Sequence, residues 1–251
     1  MSSAPPPLLR YPSLEALPGL VHGLSTRRGG VSPAPYHSLN LGLHVGDQPE
    51  RVIENRRRVT QGLGFGLDDL VLAAQVHGAA VARVGLADRG RGARDLASAL
   101  PAADALITDR AGLLLGLLVA DCLPLFLAEV GGGALGLAHA GWRGTAADIA
   151  GRTVQAMSQA YGTRPDRLVA VIGPGIGPDC FVVGPEVLAA FHRAFGDGKG
   201  WLVTVQEDGR GRVDLAEANR LQLLRAGLRP DRIHRDPACT SSDRGSFFSH
   251  R

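Results

Sequence analysis

The chain has 251 residues, 45% hydrophobic and 20% charged, with 27 basic against 24 acidic side chains and a formal net charge of +3. A chain of that size buries a core without staples, its composition excludes a disordered tail or a fibre, and its charge is too even for nucleic-acid binding by composition alone. The 34 glycines and 16 prolines follow no fixed period, so they mark tight loops rather than collagen.

Residues 1–10 read as a proline-rich, flexible lead-in to a single domain spanning 1–251, with no linker to divide it. No basic-then-apolar leader is visible, so a cytoplasmic location is expected. The longest apolar stretch, 112–120, is too short to span a membrane. The run 49–62 predicts a helix, with Val52, Ile53, Arg56 and Val59 sharing a side. Strand-type runs follow at 70–76, 79–84, 105–108, 113–119, 123–128, 134–140 and 168–172. Between them, the loop 87–94, with Arg89, Arg91 and Arg94 among glycines, reads as an exposed, mobile basic excursion. Thr145 is an N-cap candidate for a helix running to about Tyr161, and 185–195 and 214–226 predict two more. Strands and helices interleave without strict βαβ alternation. The expected fold is therefore α+β, a single-domain layered α/β sandwich with mixed sheets, rather than a Rossmann fold or a barrel.

Three cysteines, Cys122, Cys180 and Cys239, do not make a disulfide framework, and in a reducing compartment a cysteine with a task is a ligand or a nucleophile. Cys180 and Cys239 read as small buried fillers. Lys199 is the only lysine, so a Schiff-base mechanism would have to use it. His77, in Gln75-Val-His-Gly78, closes one strand. Cys122, in Ala120-Asp-Cys-Leu-Pro124, separates two apolar strands, and His139 ends a third before Gly141-Trp-Arg-Gly-Thr145. Strand ends beside glycine or proline can converge on one cleft, and two histidines with a cysteine leave a zinc position open, as in catalytic sites. Spacings of 45 and 17 residues form no local zinc signature, so three separately satisfied side chains stand as the alternative. Arg143, at the opening of the predicted helix, offers a planar cationic fork for phosphate or carboxylate, or a plain surface ion pair. Asn40, between apolar neighbours in Ser38-Leu-Asn-Leu-Gly42, must find partners in substrate or backbone. A P-loop, a G-x-S-x-G elbow, the zinc-deaminase signature and paired His-x-His ligands are all absent from the sequence.

Taken together, the blocks Thr26-Arg-Arg-Gly-Gly-Val-Ser32, Ser38-Leu-Asn-Leu-Gly42, Val45-Gly-Asp47 and Asn55-Arg56 form the first part of a pattern. Gln75-Val-His-Gly78, Ala103-Asp-Ala-Leu-Ile-Thr108, Ala120-Asp-Cys-Leu-Pro124 and His139-Ala-Gly-Trp-Arg-Gly-Thr145 carry it on. It closes with Ile172-Gly-Pro-Gly-Ile-Gly177, Asp214-Leu215, Asn219, Cys239-Thr240 and Phe247-Phe-Ser-His-Arg251. In this order the chain resembles the laccase-domain, or YfiH-like, family, also labelled polyphenol oxidase and read as purine nucleoside phosphorylases. The resemblance implies that His77, Cys122 and His139 bind zinc, with copper as the alternative metal. It implies phosphorolysis of adenosine, inosine or methylthioadenosine to the free base and a ribose 1-phosphate, with adenosine deamination at the same site. The partners expected are a purine nucleoside and phosphate, acting on a monomer, with no nucleic acid and no membrane. Arg143 is the first candidate to hold phosphate, with Arg27 and Arg56 as alternates, and Asn40 is a candidate for base or ribose. Two rivals use the same residues: a metal-free hydrolase of peptidoglycan precursors, with Cys122 as nucleophile and a histidine as base, and a copper polyphenol oxidase. Two departures stand out. Family members commonly carry cysteine at the position of Gly175, so that cysteine is not required here. They also run several residues past the position of Arg251; if that segment closes the pocket, weak substrate binding is expected.

Overall fold

The computed structural model describes residues 5–197 and 200–251, so Lys199 lies outside the described residues. Its centre is a six-stranded mixed sheet. In chain order its strands are Val81–Arg83 (β1), Ala105–Thr108 (β2), Leu123–Glu129 (β3), Leu135–Ala140 (β4), Leu168–Ile172 (β5) and Ile233–Arg235 (β6). They lie side by side in the order β6-β5-β3-β4-β2-β1. The two outer pairs, β1 with β2 and β5 with β6, are parallel, and the inner pairs are antiparallel. Register sets Pro124 against His139 and Ala105 against Ala138. The architecture is the expected α+β one with mixed sheets.

The strand β5, Leu-Val-Ala-Val-Ile, is buried on both faces. Leu168, Ala170 and Ile172 enter one hydrophobic cluster while Val169 and Val171 enter another, as the two-residue side-chain period requires. On the first face the helices Ile149–Tyr161 and Leu215–Arg225 press Ile149, Val154, Met157, Leu215 and Leu223 into the sheet. The helix Pro185–Phe195 brings Phe191 onto Trp201, ring centroids 5.4 Å apart. On the opposite face lie the short helix Pro12–Glu15, the helix Pro49–Gly62 and a two-stranded parallel pair, Leu70–Val71 with Leu114–Leu115. Those elements split the packing into three smaller clusters.

Several expectations change. The helix expected from Thr145 is two: Trp142–Ala146, then Ile149–Tyr161, with Asp148 between them in the left-handed region at φ 64°. Thr145 is therefore inside the first piece. It is buried there, and its hydroxyl is satisfied by accepting from Asn219 Nδ2 at 2.9 Å. The runs 70–76 and 113–119 give strands of only two residues each, with Ala73 in an isolated bridge to Leu100, because loop backbone takes over the partners: Leu72 N–H donates to Arg91 O and Ala74 N–H to Leu100 O. Beyond them the side chain of Gln75 stands in for a strand, bonding both the N–H and the carbonyl of Leu118 at 2.8 and 2.9 Å.

The arginine loop 87–94 is pinned rather than loose. Arg89 pairs with Asp69, Arg91 with Asp88 at 3.3 Å and Arg94 with Asp68 at 2.8 Å, while Ala93 is fully buried. Of the lead-in 1–10, residues 1–4 lie outside the described residues and Leu8–Leu9 pairs antiparallel with Leu24–Ser25. The three-stranded sheet of Val182–Val183, Leu202–Val205 and Gly211–Val213, and the edge strand β6, were not foreseen; each is short and carries little apolar alternation. No helix among the described residues is long and apolar enough to cross a membrane.

Candidate metal centre

Topology gathers the chemistry at one end of the sheet. The starts of β1, β2 and β3 and the end of β4 all lie there, because β4 runs antiparallel to β2 and β3 while β1 follows β2. His77 precedes β1, Asp104 immediately precedes β2, Cys122 immediately precedes β3, and His139 is the penultimate residue of β4. One ligand atom from each of His77, Cys122 and His139 lies within 4.8 Å of the others. The histidine rings meet edge to face with centroids 4.8 Å apart. His77 is exposed, Cys122 half-buried and His139 buried, so the cluster opens to solvent on one side.

Asp104 organises this cluster. Its carboxylate accepts from the backbone N–H of Val76, His77 and Gly78 at 3.2, 3.0 and 2.7 Å, and from His139 Nδ1 at 2.8 Å. A carboxylate on Nδ1 fixes the ring and its tautomer and leaves Nε2 for the cleft, the usual outer partner of a metal-binding histidine. Burial would raise the pKa of Asp104, but hydrogen bonds from His139 and the Gly78 and Val76 amides hold it below the ordinary carboxylate range. For His139, burial works against the charged ring, and Asp104 and the Cys122 sulfur overcome it to raise the pKa to about 9. His77 is shifted the other way, by burial first and then by His139, with Arg143 adding to the effect.

The backbone is bent to deliver these groups. His77 and Asp121 both lie at positive φ, 59° and 78°, a region that side chains other than glycine enter rarely and that functional sites retain. Asp121 carries a load that the sequence did not suggest. Its carboxylate accepts from Thr240 Oγ1 at 2.7 Å, Ser249 Oγ at 3.1 Å and His250 N–H at 2.7 Å, tying the last residues of the chain to the loop that presents Cys122. Gly141 must lack a side chain, since a Cβ there would stand 2.8 Å from Cys122 Sγ and 3.2 Å from the His77 ring. Gly175 is constrained as well: a Cβ would meet Leu123 at 2.5 Å and the Asp121 carbonyl at 2.9 Å. Packing in this chain therefore leaves no room for a side chain at that position.

Of the three candidate arginines, Arg143 alone is placed as a free cation among the described residues. It is exposed at the second position of Trp142–Ala146, stacks 4.3 Å over the Trp142 ring, and has no ion pair or hydrogen bond among the described residues. Arg56 is a correction: it is buried, and its guanidinium holds the carbonyls of Leu41, Gly92 and Ala93 at 2.8, 2.7 and 2.9 Å. Arg27 donates to the carbonyls of His37 and Arg244 and lies 4.5 Å over the Phe248 ring, joining the two terminal segments. Asn40 turns its amide inward, donating to Gly42 O and Asp47 Oδ2 and accepting from Gly42 N–H. Cys180 and Cys239 are half-buried rather than fully buried, and Cys180 packs against the main core; Cys180 Sγ lies 3.3 Å from Ser242 Oγ, and Cys239 Sγ accepts from Gly177 N–H at 3.2 Å.

Residues 21–251 match the model of a family described as multi-copper polyphenol oxidoreductase laccase. The chain is 44% identical over 233 residues to a purine nucleoside phosphorylase, YlmD, of Geobacillus stearothermophilus, covering 93% of this chain and 85% of that one. It is 37% identical over 232 residues to an adenosine deaminase of an unknown prokaryotic organism, covering 92% and 88% of the two chains. The crystal structure of YlmD from Geobacillus stearothermophilus superposes with a TM-score of 0.92 at 43% identity, covering 97% of this chain and 90% of that one.

Proposed function

The chain belongs to this laccase-like family, which includes the YfiH-like proteins, and from that premise we propose that it is a zinc-dependent purine nucleoside phosphorylase. It takes adenosine, inosine or methylthioadenosine with phosphate to the free base and the corresponding ribose 1-phosphate. The observation that carries this reading is the convergence of His77, Cys122 and His139 beside the unpaired Arg143, in a chain similar to a named purine nucleoside phosphorylase.

Two imidazoles and a thiolate are a donor set that suits zinc, and the Asp104–His139 pair supports it. A single cluster of this kind among the described residues favours one metal over a multi-copper arrangement. When bound, the metal supplies Lewis acidity at this end of the sheet. The protein's own groups do the rest. Asp104 holds the His139 ring in place and the Val76–Gly78 turn beside it. Phosphorolysis builds positive charge on the ribose carbon as the base departs, so phosphate must be held against the sugar. Arg143 binds it through a planar pair of charge-assisted hydrogen bonds. Adenosine deamination at the same site is the second reading, favoured by the similarity to an adenosine deaminase. The reading includes a monomer acting on small molecules in the cytoplasm.

The test is metal content together with adenine release from adenosine with and without phosphate, in the wild type and Cys122→Ala. One zinc per chain and phosphate-dependent release, both lost in the variant, are expected. Metal-free protein whose activity ignores phosphate would overturn the proposal and favour a hydrolase with Cys122 as nucleophile and His139 as base.

A further inference from the structure

The sheet face opposite the helices Ile149–Tyr161 and Leu215–Arg225 encloses a cavity of about 160 Å³. Its wall is formed by Phe126 and Leu137 of the sheet, by Val59 of Pro49–Gly62 and Leu63 just after it, and by Leu114 and Leu117 of the leucine run 113–118. Val21, 43% exposed, marks its mouth. The cavity is separate from the metal centre, since His77, Cys122 and His139 take no part in its wall. An engineered apolar cavity of ~150 Å³ stays dry and admits benzene, so this space is large enough for a small organic molecule.

One wall residue breaks the apolar pattern. Arg56 is only 3% exposed and borders the cavity. Its Nε and Nη1 hold three backbone carbonyls, while Nη2 has no partner among the described residues. No carboxylate pairs with it there, and burial alone lowers its pKa to about 10. A buried cation without a counter-charge is costly, and a ligand that brings the charge removes that cost. A neutral hydrocarbon would leave Arg56 unpaired. A phosphate would lose its hydration against a wall of leucines.

We propose that this cavity binds a small apolar monocarboxylate, its carboxylate on Arg56 and its hydrocarbon body against Leu114, Leu117, Phe126 and Leu137. Arg56 itself is a poor position to mutate, because it anchors the Leu41 and Gly92–Ala93 carbonyls. Leu117→Trp instead fills the cavity from a half-exposed position. Calorimetric titration of the whole chain with phenylacetate is the test, with phenylacetamide as its neutral counterpart. Saturable one-site binding of phenylacetate is expected, with phenylacetamide about tenfold weaker or worse for lack of a charge-assisted pair. Binding should persist in Cys122→Ala, which disables the metal centre, and disappear in folded Leu117→Trp. Equal binding of the amide, binding retained in Leu117→Trp, binding lost in Cys122→Ala, or no saturation at millimolar phenylacetate would each overturn the proposal.

Discussion

The two faces of the central sheet solve the same burial problem differently. Beneath Ile149–Tyr161 and Leu215–Arg225 the hydrophobic residues form one continuous cluster, from Ala105 through Phe191 to Leu228. Beneath Pro12–Glu15, Pro49–Gly62 and the leucine run they form three, with a cavity among them. Long amphipathic helices lay an unbroken apolar stripe on a sheet, whereas short strands and loops carry backbone polar groups that must be satisfied first. The Gln75 amide clamped on Leu118 and the Arg56 guanidinium on three carbonyls are those satisfactions. On the face with three clusters the space left between them is an apolar cavity bordered by a buried cation, whereas on the other face the cluster against the sheet is continuous.

The largest effect expected is on the helical face. Phe191 is fully buried, and Phe191→Ala should cost about 3–5 kcal/mol in urea unfolding, whereas Leu117→Ala on the cavity side should cost well under half of that. Equal losses would erase the contrast. Next, at the sheet end where both faces meet, Asp104→Asn should weaken metal binding by about 10–100-fold, read by competition with a chelator. Unchanged affinity would mean that Asp104 serves the turn alone.

A matched pair of glycines sharpens the comparison further. Gly136 borders the cavity with its backbone, but a Cβ there would point to the helix-covered face, meeting Met157 Sδ at 2.8 Å, Thr153 Cγ2 at 3.2 Å and Leu127 Cβ at 3.3 Å. Gly136→Ala should cost about 1–3 kcal/mol. At Gly116 the clash is with the methyl ends of Leu72 and Leu70, at 2.7 and 2.8 Å, which can swing toward the cavity, so Gly116→Ala should cost less. The smallest effect lies on the cavity face too, at the partly exposed side of Pro49–Gly62. Glu54 bonds Arg57 at 2.7 Å and Arg58 at 2.8 Å, and hydrogen bonds from Arg57 lead the causes that lower its pKa from 4.5 to about 2. A depressed carboxylate pKa stabilises the fold above the unfolded value and stops doing so as pH falls through the folded one. Glu54→Gln should therefore cost less than about 1 kcal/mol at neutral pH, with the difference from wild type fading between pH 4.5 and about 2. A pH-independent difference would show that the ion pairs are not its source.

Much of this protein was legible before any coordinates. The helices Pro49–Gly62 and Pro185–Phe195 fall where their apolar spacing and leading prolines put them, and Asp214 caps Leu215–Arg225 through Glu217 N–H at 2.9 Å. The strands that carry Cys122 and His139 are long apolar runs whose identity local pattern determines. His77, Cys122 and His139 were candidates by residue type and by resemblance. Only the tertiary structure made them one cluster, because antiparallel pairing of β4 with β2 and β3 brings residues far apart in sequence to one end of the sheet. It alone assigned Asp104 and Asp121, whose partners are mostly backbone amides and side chains distant in the chain. It alone sorted the arginines too: Arg56 and Arg143 are the same residue in the sequence, but one is buried with its Nε and Nη1 on backbone carbonyls and the other is exposed beside the site. Local periodicity is written in neighbouring residues, whereas the partner of a charge is settled by which distant backbone the fold sets beside it.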